Sequence, residues 1–303
     1  MSEYDSCVDE LDTILDFFRF AVSKANQAEL FYGHGCDTAW DDMLVLTLNA
    51  LDLPYDMDKS LLTARLTHSE KVQLAGILKK RIVDKIPTPY LTNKAYFCGL
   101  EFFVDERVLI PRSPIAELIE NRFSPWLIEE EVNLVLDLCT GSGCIAIACA
   151  HAFPEAHIDG IDISDDALAV AKRNVEKLDR ESQITLYQSD VFSSLPQKRY
   201  DIIVSNPPYV GRDEMATLPS EYNHEPVLAL EAKDNGLAIV DKILYQAKDY
   251  LTEHGILVVE VGNSDLALMD KYPQVPFMWL EFEHGGSGVF ILDKEQLDEY
   301  FPN

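Results

Sequence analysis

The chain has 303 residues, 47% of them hydrophobic and 25% charged, which is ordinary globular usage and excludes long disorder or a small disulfide-stapled scaffold. Asp and Glu total 52 against 25 Lys and Arg, a formal net charge of −27; this counts against a nucleic-acid substrate, since phosphate backbones call for a basic face. The excess is uneven, with 13 basic and 20 acidic side chains in residues 1–125 and 12 and 32 in residues 126–303, so the second half would either steer in a basic polypeptide or simply aid solubility.

The first ~90 residues read as helical by pattern. Val8, Leu11, Ile14, Leu15, Phe18 and Val22 recur at three and four and predict one amphipathic helix. A glycine-punctuated loop, Phe31-Tyr32-Gly33-His34-Gly35, follows. A second helix is expected from Trp40 to Leu51, before Pro54. A third is expected from Glu70 to about Asp84, capped by Thr67 or Ser69 and ended by Pro87 and Pro89. Residues 91–112 form a linker in which aromatic runs flank Cys98-Gly99, the pattern of a β-hairpin. Ser113 is placed as an N-cap with Pro114 at the first helical position.

Residues 113–303 then alternate strand and helix. Strands are expected at Val132–Leu138, His157–Ile161, Ile184–Gln188, Tyr200–Ser205 and Gly255–Val261, with helices at Gly143–Ala152, Asp165–Leu178 and Gly236–Leu251. This is an α/β pattern, a doubly wound, mostly parallel Rossmann-like sheet. The tail runs Phe277–Phe282 and Gly288–Leu292, separated by His284-Gly285-Gly286, are too close to pair other than antiparallel. The six cysteines form no C-x-x-C pair and the seven histidines no H-x-x-x-H spacing, so no metal site is expected. Met1 to Asp16 is acidic, unlike a signal peptide, and no apolar run reaches the ~18 residues of a membrane span. A reduced, cytoplasmic protein is expected.

Asp137-Leu138-Cys139-Thr140-Gly141-Ser142-Gly143 follows the first strand of this region and opens a helix. Its glycines permit a tight turn and close approach of a ligand, and the run fits G-x-G-x-x-A; a tight turn without a ligand would read the same way. Asp162 closes the second strand at the offset of a ribose-binding carboxylate, and Asp190 ends the third. Three carboxylates at one sheet edge suit a ligand with cationic, amine and hydroxyl groups and repel a pyrophosphate. S-adenosylmethionine fits that description better than NAD. The expected cofactor set is Asp137, Cys139, Thr140, Gly141, Ser142, Gly143, Asp162, Ile163, Asp190, Val191 and Asn206.

The fourth strand runs into Asn206-Pro207-Pro208-Tyr209, the most specific signal in the chain. Two prolines stiffen the loop, and Asn206 offers a side-chain oxygen at the ligand edge. Methylation of a planar nitrogen needs such a loop. Its lone pair is delocalised, so two acceptors, the Asn206 side-chain oxygen and the Pro207 carbonyl, must hold its N–H groups and aim it at a methyl donor, with Tyr209 packing on the flat group. A proline-rich turn of purely structural purpose is the alternative.

Asp137-Leu-Cys-Thr-Gly-Ser-Gly together with Asn206-Pro-Pro-Tyr resembles the class I S-adenosylmethionine-dependent amino-methyltransferases. Pro89–Gly99 and Val108-Leu109-Ile110-Pro111-Arg112 are similar to the linker of the protein N5-glutamine methyltransferases, and the resemblance spans nearly the whole chain. It implies a helical substrate-recognition domain over residues 1–90 and transfer of a methyl group to a glutamine side-chain amide. Ser113-Pro114-Ile115-Ala116-Glu117 departs from the Pro-Glu-Thr-Glu-like string of the release-factor enzymes. That stretch, the glycine-rich tail, and Tyr32-Gly33-His34-Gly35 with Trp40-Asp41 look instead like the branch that acts on large-subunit ribosomal protein L-three, a basic partner. Tyr32, His34 and Trp40 are expected either to contact that partner or to pack the helices together. Release-factor methylation, amino-methylation of DNA or RNA bases, a non-catalytic S-adenosylmethionine binder and an NAD oxidoreductase are the competing readings.

Overall fold

In the computed structural model, which describes residues 3–302, the chain divides into two units. One comprises the chain up to Ala95 together with Pro219–His224, the other Tyr96–Leu218 and Glu225–Asn303.

The first unit contains α1 (Glu3–Glu10), α2 (Ile14–Gln27), α3 (Ala39–Ala50), α4 (His68–Ile82) and α5 (Thr88–Thr92). The single helix expected over Val8–Val22 is two helices. Thr13 is extended and caps α2 in a reciprocal box with Asp16, and the backbone beside it bonds to another segment, Ile14 N–H to Ala64 O and Leu66 N–H to Asp12 O. Those bonds outweigh the helical periodicity at the break. Thr67 and Glu70 form the same box at the start of α4. Pro89 sits in the first turn of α5, where a missing N–H costs nothing, so the prolines expected to end a helix also start one. Phe17, Phe18, Met43, Leu46, Leu74 and Leu78 form the core of this unit.

Two of the expected partner contacts are not free surface. His34 is 6% exposed, its ring lying against Phe31 and Tyr222. Tyr32 is half-buried beneath the Arg81 guanidinium. Trp40 remains 57% exposed although its ring meets Phe18 edge-on. The sequence-distant segment Pro219–His224 belongs here because Glu221, buried, accepts from Phe31 N–H and faces Arg81, which also binds Asp42 at 2.8 Å. A buried cation with two carboxylates needs such pairing to be tolerated.

The second unit takes up the chain at Tyr96, inside the hairpin of β1 (Ala95–Phe97) and β2 (Leu100–Phe102), which is turned by Cys98 and Gly99 at φ +46° and +71°. Its main sheet contains β3 (Leu134–Leu138), β4 (His157–Asp162), β5 (Ile184–Gln188), β6 (Tyr200–Ser205), β7 (Leu251–Glu260), β8 (Met278–Trp279) and β9 (Val289–Asp293). The order across the sheet is β5-β4-β3-β6-β7-β9-β8. The first five are parallel and β9 runs antiparallel to both its neighbours. Both faces are covered, so apolar residues alternate between two cores. Val135, Ile158, Ile202 and Val258 enter one, and Leu136, Ile161, Ile203 and Leu257 the other. The helices are α6 (Ile115–Glu120), α7 (Cys144–Ala152), α8 (Asp165–Lys177), α9 (Arg212–Met215), α10 (Ala238–Gln246), α11 (Asp265–Lys271) and α12 (Lys294–Tyr300).

The strand order reverses between β3 and β6, and the carboxyl ends of those strands open the crevice where doubly wound sheets bind ligands. The α/β, Rossmann-like reading holds, with an antiparallel closing pair. Its boundaries shift: β7 starts at Leu251, α10 stops at Gln246 before a 3-10 turn, and β8 is two residues rather than six. The short α9, α11 and α12 carry too few turns to show a periodicity. Among the described residues no helix is long and apolar enough to cross a membrane.

Candidate active site

A cavity of about 450 Å³ opens at the carboxyl ends of β3, β4, β5 and β6, within the usual range for a small-molecule site. One wall is the loop between β3 and α7. Gly141 and Gly143 take φ +54° and +80°. A Cβ on Gly143 would press within 3.2 Å of Ala171, so this glycine serves close helix packing; a Cβ on Gly141 would meet no protein atom within 4 Å. Cys139, Thr140, Gly141 and Ser142 line the cavity and Gly143 does not. Asn174 holds the loop from α8, its side chain bonding Ser142 O and both backbone groups of Phe103.

The three strand-end carboxylates do not share one crevice, contrary to the expectation. Asp137 is fully buried behind the loop, accepting from Thr140 Oγ1 at 2.6 Å and Ala146 N–H at 3.0 Å. Burial raises its pKa to about 7, and its other oxygen, Oδ1, has no hydrogen-bond partner among the described residues. Asp162 does line the cavity and accepts from Gly141 N–H and Ser164 N–H, each at 2.9 Å. Burial holds its pKa above the usual carboxylate value despite those bonds. Asp190 lies two residues beyond β5 and meets Lys242 of α10 at 2.7 Å across the cavity wall. Ile163 and Val191 line it beside their acidic neighbours.

Asn206 and Pro208 line the cavity, whereas Pro207 and Tyr209 stand off its wall. Tyr209 is locked in place. Its hydroxyl donates to Glu260 at 3.0 Å, its carbonyl accepts from Ser264 Oγ at 2.9 Å, and its ring lies where a Cβ on Gly262 would intrude at 2.5 Å. Val210 is tied by backbone bonds to Leu230 and Ala232. Opposite, Arg112 forms a two-pronged pair with the buried Glu225, both contacts at 2.6 Å, and Glu225 also accepts from Ile110 N–H.

The chain is 46% identical over 294 residues to the ribosomal protein uL3 glutamine methyltransferase of Francisella tularensis subsp. tularensis, covering 97% of this chain and 94% of that one. It belongs to the uL3 glutamine methyltransferases. The protein of the same name from Xanthomonas campestris pv. campestris is 47% identical over 292 residues, 96% of this chain and 94% of that one. The family model for the methyltransferase small domain matches residues 123–219, which span the glycine loop and the Asn206–Tyr209 segment.

Several features of this uL3 glutamine methyltransferase site were not read from the sequence. Arg112 stood in the linker resemblance and Ser113 was read as an N-cap, but their partners Glu225 and Glu260 lie more than a hundred residues away. Lys242 offered no signal on an ordinary amphipathic helix. Glu260 did, as a lone carboxylate closing the apolar run Ile256-Leu257-Val258-Val259.

Proposed function

We propose that this chain transfers a methyl group from S-adenosylmethionine to the side-chain amide nitrogen (N5) of a glutamine in ribosomal protein uL3. The observation that carries the reading is the cavity that joins the glycine loop, Asp162 and Asn206 at one sheet edge. The protein groups around it fit such a cofactor. Gly141 leaves open space on the cavity wall in a backbone conformation that disfavours side chains. Asp162 keeps lone pairs for hydroxyl donors beyond its two backbone bonds. When bound, S-adenosylmethionine supplies an electrophilic methyl group.

The remaining work is positioning. The Asn206 side-chain oxygen and the Pro207 carbonyl accept the two N–H groups of the glutamine amide and orient its weakly nucleophilic nitrogen. Pro207 and Pro208 keep that loop from relaxing. The methylated nitrogen is acidic and sheds its proton without a strong base, so orientation supplies most of the acceleration. Helices α1 to α5 belong to the proposed recognition unit, in which Trp40 and Tyr55 are exposed aromatics. The net charge of −27 accords with a basic protein partner. Release-factor methylation is the weaker reading, since both relatives are named for uL3.

The test is incubation with labelled S-adenosylmethionine and purified uL3 or release factor, with mass spectrometry to locate the label. A glutamine of uL3 should gain the methyl group. Label on release factor alone would reassign the substrate.

A further inference from the structure

Residues 225–232 wall one side of the cavity and are pinned at both ends. Glu225 is buried and takes both prongs of Arg112 as well as the Ile110 N–H. Pro226 then opens a single 3-10 turn, Val227–Ala229. Ala229 N–H donates to Pro226 O, and Leu230 and Glu231 N–H both donate to Val227 O. At the far end Val210, the residue after Tyr209, pairs with the segment. Its N–H donates to Leu230 O and its carbonyl accepts from Ala232 N–H, each at 2.9 Å. A buried ion pair fixes one end, and the chain that carries Asn206 fixes the other.

The side chains of this segment divide into two sets. Leu230 and Ala232 are each 5% exposed and anchor it. Val227 and Leu228, on the turn, are 57% and 58% exposed, and Leu228 lines the cavity together with Pro226, Ala229 and Asn206. A single exposed aliphatic residue needs no explanation. Two in succession, on a turn bonded in place at the cavity mouth, hold apolar surface in water where an arriving ligand would cover it.

The position selects the occupant. The groups fitted to S-adenosylmethionine, the glycine loop and Asp162, follow β3 and β4, whereas this segment is bonded to the chain that follows β6, on the other side of β3. A polypeptide that delivers a glutamine side chain to Asn206 has to lay its main chain over the mouth on that side.

We propose that Val227 and Leu228 form an apolar lip that seats the uL3 main chain on either side of the target glutamine, a specificity-determining element for a polypeptide substrate. This rests on the function proposed above. Main chain, and the aliphatic stems of Lys and Arg in a basic partner, are the chemistry such a lip accepts. Because the turn is ordered in advance, covering it costs little conformational entropy.

The test is the double variant Val227→Ser/Leu228→Ser. Both side chains lie mostly in solvent, so Tm should stay within about 3 °C of wild type, which separates contact with substrate from a structural role. The expected result is a KM for uL3 raised ~10-fold or more by the loss of apolar contact. As for removal of a binding contact, kcat should move less than KM, with the calorimetric Kd for S-adenosylmethionine little changed. Leu228→Met keeps the apolar surface and should hold KM near the wild-type value. An active double variant with wild-type KM would overturn the proposal. So would a weakened Kd for S-adenosylmethionine with an unmoved KM, which would give the lip to the cofactor. If the double variant has lost Tm, Val227→Thr decides, since it exchanges one exposed methyl group for a hydroxyl: a KM raised severalfold supports the lip and an unmoved KM refutes it. Wild-type enzyme that leaves uL3 unlabelled would instead refute the function on which the proposal rests.

Discussion

Asp162 joins the fold to the proposed cofactor subsite, so one substitution there should be visible in two independent measurements. Its two oxygens are each engaged by one backbone N–H, from Gly141 and Ser164, both at 2.9 Å. Asp162→Asn keeps one acceptor and places an NH₂ group against the other N–H. One charge-assisted bond is lost and a half-buried donor is left facing a donor, a cost of about 2–3 kcal/mol. At roughly 2–4 °C per kcal/mol for a unit of this size, Tm should fall by about 4–12 °C. The same oxygens are the proposed acceptors for ribose hydroxyls. Losing one such bond should weaken S-adenosylmethionine binding roughly 10- to 100-fold. Scanning calorimetry gives the first number and isothermal titration the second. A lower Tm with unchanged Kd would make Asp162 a brace for the glycine loop and remove it from the cofactor set. If neither quantity moved, the hydrogen bonds would carry no free energy and the reasoning would fail.

Asn206→Ala should leave Kd for S-adenosylmethionine nearly intact and reduce methyl transfer to uL3 by ~10²-fold in single-turnover assays; near-normal turnover would mean another acceptor holds the substrate amide. Asp137 has a folded-state pKa raised to about 7 from 3.8, so the stability it confers is full below pH ~4 and is lost as pH rises through ~7. Compared with the non-titrating Asp137→Asn, wild type should lose about 3 kcal/mol between pH 5 and pH 8 in urea denaturation, and parallel stability curves for the two would show that Asp137 does not titrate in that window. Electrostatic steering predicts that kcat/KM for uL3 falls steeply with salt, as the Debye length shrinks from ~10 Å at 0.1 M to ~3 Å at 1 M, while a short glutamine peptide without basic residues shows little change; equal salt dependence for both substrates would rule steering out.

The sequence by itself determined what depends on short-range pattern. Apolar runs and helical spacing marked β3 to β7 and, of the helices between them, α7, α8 and α10. Positive-φ glycines at 141 and 143 and the stiff Asn206–Tyr209 segment were legible because the residue types leave few other conformations. Capping chemistry marked the start of α4 at Thr67 or Ser69, and the structure chose Thr67 with Glu70. It also stood at Thr13 and Asp16, where the stronger hydrophobic period concealed it. Only the tertiary structure decided what each side chain faces. Asp137, Asp162 and Asp190 look alike as strand-end carboxylates. Packing turned the first inward onto Thr140 and Ala146, left the second on the cavity wall, and gave the third to Lys242. His34, in a glycine-rich loop that reads as exposed, is covered by Tyr222 from nearly two hundred residues away. Glu260 shows the limit most clearly. Its identity is plain in the sequence, but its partners are Ser113 and Tyr209, and local propensity carries no information about side chains that the fold brings together from separate segments.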